Sequence, residues 1–140
     1  MRILGVDFGD ARTGFALSDP TGLLAGGIGT EKVTGIKNAV EITCKIAIDN
    51  NVGLIVIGLP RNMDGSEGSR ADRCRRFADM VHEQCGIETT LVDERRTTIE
   101  AAGYMSETGT FGKKRKEAID TLSAQIILQS YLDKNRNSGL

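Results

Sequence analysis

Three places in the 140-residue sequence put a carboxylate where a fold alone has little use for one. Asp7 closes the apolar run "RILGVD" and is followed at once by the turn-like "FGDARTG", in which two glycines bracket Arg12. Asp93 and Glu94 close a second apolar run, "IETTLVD". Asp120 lies in the last helical stretch; at about 100° per residue it falls between Ile127 and Tyr131, with Ala124 alongside, in the middle of an apolar arc. An unpaired charge buried there costs several kcal/mol or is forced to protonate. Asp120 therefore needs a partner, either an arginine such as Arg95 or a metal ion, and the spacing leaves both open. Ser123 and Ala124 beside it are small enough to let the helix approach a sheet closely.

Carboxylates from two strands and one helix would make an oxygen-only cage, suited to hard cations such as Mg²⁺ or Mn²⁺. Two such ions about 4 Å apart can activate a water and stabilise the leaving oxygen of a phosphodiester. Softer metals have no ligand set here. Cys44, Cys74 and Cys85 form no Cys-x-x-Cys pair and fall at apolar helix positions, where reduced thiols act as small hydrophobes. The single histidine, His82, lies on the polar side of a helix. A phosphate loop of the Gly-x-x-x-x-Gly-Lys-[Ser/Thr] kind is absent, since "GTFGKK" lacks the first glycine and the hydroxyl residue.

Elements must bring these residues together. "RILGVD" (2–7) and "GFALSD" (14–19) read as strands joined by a turn, and "LLAGGI" (23–28) as a third strand despite its glycines. Apolar residues at helical spacing predict a helix over 36–48. The run "VGLIVIGLP" (52–60) is apolar without alternation, which predicts a central parallel strand buried on both faces and ended by Pro60. A polar loop (61–69), a helix (70–84), the strand 87–93 and a short helix (97–105) follow. Residues 106–116 combine small residues, glycines and charges, as a mobile loop would, and the last helix covers 117–133 before a frayed tail (134–140). Three meander strands followed by α/β crossovers predict an α/β fold with a mixed five-stranded sheet flanked by helices, in one domain spanning 1–140. In such sheets ligands gather beyond the carboxyl ends of the parallel strands, which is where Asp7 and Asp93–Glu94 would lie.

Composition is that of an ordinary water-soluble chain, with 39% hydrophobic and 26% charged residues. No apolar run approaches the roughly 20 residues that span a bilayer, and no signal-peptide pattern opens the chain, so we expect a cytoplasmic protein with no membrane partner. A formal net charge of −1 speaks against binding nucleic acid by bulk charge. The cations are clustered, however, in "RADRCRR" (70–76, including Arg70 and Arg73), in Arg95–Arg96, and in "KKRK" (113–116, with Lys113, Lys114 and Arg115). Basic patches beside an acidic centre suit a nucleic-acid enzyme, because phosphates need cations while metals need carboxylates. Taken singly, each cluster also reads as a solvated face.

The segments "GVDFGDARTGFALSD", "VIGLPRNMDGSEG", "FADMV", "LVDERRTT" and "EAIDTLSAQIILQSYLD" together resemble the successive motifs of the YqgF family, also called RuvX-type. The resemblance runs from Gly5 to Asp133. It implies an RNase H-like fold and a metal-dependent nuclease, acting on the 5′ end of pre-16S ribosomal RNA or, alternatively, on Holliday junctions. Carried over by position, it implies Asp7, Glu94 and Asp120 as the catalytic and metal-holding carboxylates, for two Mg²⁺ or Mn²⁺ ions, with Asp93 a fourth on the opposite face of its strand. It makes Arg12 a phosphate or carboxylate partner. From the basic clusters, Arg70, Arg73, Arg95, Lys113, Lys114 and Arg115 are the expected substrate-binding cations. The sequence departs from the pattern at Ala11, where a basic residue is usual, and at Ser123, where an alanine is. Junction cleavage would require two active sites and hence a homodimer.

Two other readings compete. The opening Asp-x-Gly also resembles the phosphate loop of actin-like ATPases, which need a second domain that 140 residues cannot supply. A non-catalytic RNA-binding ribosome-assembly factor would use only the basic clusters. An aromatic content of 4% leaves few rings for reading single strands by stacking.

Overall fold

The computed structural model describes residues 1–62, 64–93 and 112–138; side chains of residues 112–117 and 136–138 are outside the description. Among the described residues eight elements follow in order: β1 (Arg2–Asp7), β2 (Arg12–Ser18), β3 (Ala25–Lys32), α1 (Ile36–Asp49), β4 (Val52–Leu59), α2 (Ser69–Cys85), β5 (Glu88–Asp93) and α3 (Gly112–Ser138). The five strands form one sheet in the order β3-β2-β1-β4-β5. β1, β2 and β3 pair antiparallel through short turns, while β4 joins β1, and β5 joins β4, in parallel. Parallel neighbours need a crossover, and α1 and α2 supply it. The mixed sheet expected from the element order is therefore present.

Strand alternation sorts the side chains onto two faces. Leu4, Val6 and Phe8 join Ile55, Ile57 and Leu59 in a core with Val40 and Cys44 of α1 and Phe77 and Val81 of α2. Phe8 stacks on Phe77 with ring centroids 4.3 Å apart. On the other face Ile3, Ala16, Leu54 and Val56 pack against Ala124, Ile127, Leu128 and Leu132 of α3. Apart from Gly53, every residue of β4 is buried, as a central strand with apolar side chains in both directions must be. The cysteines are free thiols, with Cys44 and Cys74 buried in the first core. Burial pushes the Cys44 thiol up to about 12, so it packs as a hydrophobe.

How α3 meets the sheet decides the rest. A Cβ at Gly5 would stand 2.7 Å from the Leu128 Cβ and 2.9 Å from the Ala124 carbonyl oxygen. One at Gly14 would overlap the backbone carbonyl of Asp120. One at Gly27 would stand 2.7 Å from the Thr121 Cγ2. Glycines on three adjacent strands thus let the helix backbone rest almost on the strand backbone. Polar contacts fix its azimuth: the Thr30 and Thr121 hydroxyls lie 2.6 Å apart. The Gln129 Oε1 accepts the Ala25 N–H at 2.9 Å, and the Gln125 Nε2 donates to the Ala25 carbonyl at 3.1 Å. These glutamines also occupy backbone groups of an edge strand that would otherwise be open to pairing.

Three boundaries differ from the sequence reading. β3 runs over Ala25–Lys32 rather than 23–28, because its glycines are not strand breakers but seats: Gly27 lies under α3, and Gly29, at φ 132, follows the extra residue Ile28 of a bulge opposite Phe15 and Ala16. β2 begins at Arg12 rather than at 14, which puts Arg12 on a strand instead of in a turn. α3 spans Gly112–Ser138, so 112–116 of the expected loop and 134–138 of the expected tail are helical; Lys and Arg are good helix formers that need no burial to remain so. The expected helix 97–105 and loop residues 106–111 lie outside the described residues.

Beyond β4 the chain makes a tight hairpin closed by a bridge between Arg61 and Glu67. Asp64 Oδ1 accepts the Ser66 N–H at 2.9 Å and its hydroxyl at 2.6 Å. Arg75 of α2 forks onto Glu67 at 3.0 and 2.9 Å, and Arg61 spans from Glu67 (3.4 Å) towards Asp93 (3.9 Å). The hydrogen bond from Arg75 is the main reason that the Glu67 carboxyl is held below its ordinary value of 4.5. A carboxyl lowered in the folded state stabilises it above that value, and the contribution is lost as pH falls through the lowered one.

Two measurements test this architecture. Gly14→Ala should destabilise the chain by about 2 kcal/mol in urea unfolding through overpacking, whereas Gly68→Ala, with open space around it, should change stability by less than about 0.5 kcal/mol; equal effects would refute the tight seat. In a side-chain NMR titration Glu67 should titrate below 4.5 and return towards it in Arg75→Ala. A Glu67 value at or above 4.5 in the unaltered chain would contradict the clamp.

Candidate active site

Asp7 is the last residue of β1, and its alternation with Ile3 and Gly5 puts it on the α3 face. Its registered partner on β2 is Gly14, the glycine beneath the Asp120 carbonyl. The seat that lowers α3 onto β2 therefore also delivers Asp120 to the sheet edge where Asp7 ends. Arg12 shares the face of Gly14 and Ala16, two residues back along β2. Its Nε donates to the Asp120 Oδ2 at 2.9 Å, with side chains 31% and 22% exposed. Between β1 and β2 the turn closes tightly: a Cβ at Gly9 would meet the Arg12 carbonyl oxygen at 2.5 Å, and the Thr13 hydroxyl donates to the Gly9 carbonyl at 3.2 Å.

These groups enclose a cleft of about 230 Å³ lined by Asp7, turn residues 8–11, Arg12, Arg70 and Asp120. Three carboxylates, Asp7, Asp10 and Asp120, line it with two guanidinium groups, and Asp10 is bound by Arg73. Arg70, exposed in the first turn of α2, has no ion-pair partner among the described residues. Asp7 and Asp120 offer hard oxygen donors of the kind Mg²⁺ or Mn²⁺ takes. Among the described residues no group of three His, Cys, Asp or Glu comes together. Ser123, one turn beyond Asp120, is 1% exposed, and its hydroxyl has no hydrogen-bond partner among the described residues.

The other expected residues fall as follows. Asp120 has an arginine partner in Arg12; Arg95, the arginine named for it from the sequence, lies outside the described residues, as does Glu94. Asp93 is separated from Asp7 by strand alternation. Val92 packs with the α3 core and Leu91 with the opposite one, so Asp93 belongs to the α2 side, where Arg61 approaches it. Arg73 does not line the cleft. Its Nε and Nη2 bind the Asp10 carboxylate at 2.6 and 2.5 Å, bracing the β1–β2 turn against α2. Lys113, Lys114 and Arg115 lie in the first turns of α3, five to seven residues before Asp120, or roughly 8–10 Å along the helix; their side chains lie outside the described residues. Sequence reasoning missed Asp10 as the anchor of Arg73 and Gly14 as the seat of Asp120. A glycine inside an otherwise apolar strand was the available signal for the second.

Comparison with known proteins identifies the family. The RuvX family, described as Holliday junction resolvase, matches residues 1–134. A protein of Myxococcus xanthus named "Putative pre-16S rRNA nuclease" is 41% identical over 136 residues, covering 97% of this chain and 90% of the relative. One of the same name from Pelotomaculum thermopropionicum is 44% identical over 134 residues, covering 95% and 87%. Among solved structures, RuvC of Thermus thermophilus superposes with a TM-score of 0.59 at 10% identity, over 98% of this chain and 97% of that one. The Fowlpox virus resolvase, in complex with Holliday junction DNA, gives 0.59 at 14% identity, over 96% and 99%. The chain therefore belongs to the RuvX family, a family of nucleases with an RNase H-like fold.

Proposed function

We propose that this chain is a divalent-metal-dependent endonuclease that cleaves phosphodiester bonds at the 5′ end of pre-16S ribosomal RNA. The observation that carries the reading is the meeting, in one cleft, of a strand-end carboxylate, Asp7, and a helix carboxylate, Asp120, beside Arg12 and Arg70. Relatives at 41% and 44% identity over nearly the whole chain carry the RNA substrate in their names. We read the chain as a single cytoplasmic domain; among the described residues no helix is long and apolar enough to cross a membrane.

Asp7, Asp120 and Glu94 would hold one or two Mg²⁺ or Mn²⁺ ions. Asp93, the fourth carboxylate considered, is left out of that set because alternation turns it to the α2 side. When bound, such ions supply an activated water and stabilise the leaving oxygen. The chain itself binds and orients: Arg70 and Arg12 bring guanidinium donors to the scissile phosphate, and their planar forks match its oxygens. Arg95, Lys113, Lys114 and Arg115 would extend the track for the flanking backbone. Arg73 contributes indirectly, by bracing the turn through Asp10. The family's description favours a second substrate, the four-way DNA junction, which would call for two such clefts in a homodimer.

The test is cleavage of a labelled pre-16S leader RNA and a labelled four-way junction, in Mg²⁺ and in Mn²⁺. Asp7→Asn and Asp120→Asn should each lower the rate by roughly 100-fold or more with the fold intact. An Asp7→Asn chain that cuts like the unaltered one would remove the proposal, and the substrate cut faster chooses between RNA and junction.

A further inference from the structure

We propose that Arg12 and a divalent cation compete for the Asp120 carboxylate, so that loading the ion hands Arg12 from Asp120 to the nucleic-acid phosphate. This deepens the nuclease reading and rests on it. The same Asp120 Oδ2 that receives the Arg12 Nε at 2.9 Å belongs to a carboxylate lining the cleft with Asp7. Any ion held between the two aspartates draws on that carboxylate and, with two positive charges, repels the guanidinium beside it. The ion pair is open to exchange, because both partners are partly exposed and such pairs contribute little to stability. Its geometry is a single contact through Nε, which leaves both terminal nitrogens of Arg12 without a partner among the described residues. Those nitrogens are the ones a phosphate engages in a fork.

The neighbouring arginines show why Arg12 is distinct. Arg73 does not line the cleft itself and is committed to Asp10 of the β1–β2 turn. Arg70 lines the cleft without an ion pair among the described residues, so its attraction for phosphate does not wait on an ion. Arg12 alone of the three is paired to a candidate ion-binding carboxylate. Its backbone is fixed in register with Lys32, and Asp120 is fixed by the Gly14 seat, so the exchange asks only for side-chain rotation. Linkage then makes the coupling mutual: the ion raises affinity for nucleic acid through Arg12, and nucleic acid raises affinity for the ion by the same factor.

The experiment measures Mn²⁺ binding to the full chain by electron paramagnetic resonance, and binding of a fluorescent single-stranded RNA by anisotropy with and without Ca²⁺ at constant ionic strength. Arg12→Met should bind Mn²⁺ about five-fold more tightly than the unaltered chain, and more tightly than Arg70→Met, which removes an equal charge from the same cleft. RNA affinity of the unaltered chain should rise about five-fold with the ion; in Arg12→Met that rise should vanish, and in Arg70→Met it should persist on a weaker baseline. Arg12→Gln serves in the same role if circular dichroism shows Arg12→Met unfolded. Mn²⁺ affinity in the Arg12 variants no higher than in Arg70→Met would overturn the exchange, as would an undiminished effect of the ion on RNA binding. Loss of cleavage in Asp7→Asn alongside either result leaves the nuclease reading standing while the exchange falls. The exchange observed in a chain that cuts neither substrate would do the reverse.

Discussion

The close approach of α3 to the sheet at Gly14 is the constraint on which the cleft depends. A side chain at that position would collide with the Asp120 carbonyl and lift the helix from β2. Asp120 would then leave the edge at which Asp7 ends, and Arg12 would lose the oxygen it holds. Gly5 and Gly27 repeat the arrangement on the adjacent strands, so the helix is seated along a line rather than at a point. Protein interiors are packed densely enough that a misfit of this size is transmitted rather than absorbed.

Electrostatics at the cleft follow from that seat. Two carboxylates brought to one edge repel each other, and Arg12 offsets this on the Asp120 side. Because the pair is partly exposed, it is worth at most about 1 kcal/mol to the fold and is better understood as holding a carboxylate in place than as holding the protein together. On the opposite face the same sheet edge carries a separate network, Arg75–Glu67–Arg61–Asp93, that braces the hairpin after β4. Alternation along β5 puts Asp93 in this bracing layer, on the side of the sheet away from Asp7.

Much of this was legible in the sequence, for identifiable reasons. β4 announced its central place because both its faces are apolar, and Asp120 stood out because a carboxylate in an apolar arc violates helix amphipathicity. Asp7 was readable because a strand ended on it. What could not be read were relations set by tertiary approach. Arg12 and Asp120 are 108 residues apart, and no local pattern identifies a partner at that distance. The glycines of β3 lowered its strand propensity, yet one of them seats α3 and another follows a bulge, so the strand runs further than propensity allows. The length of α3 escaped for the opposite reason: its charged ends carry no apolar period, and helix-forming residues extend it without one.

The most direct test of the account is anomalous diffraction at the manganese edge from crystals of the full chain grown with Mn²⁺. The account requires an anomalous peak within coordination distance of both the Asp7 and the Asp120 carboxylates, with the Arg12 guanidinium displaced from Asp120. A peak elsewhere, or none at saturating Mn²⁺ with the Arg12–Asp120 pair intact, would contradict it.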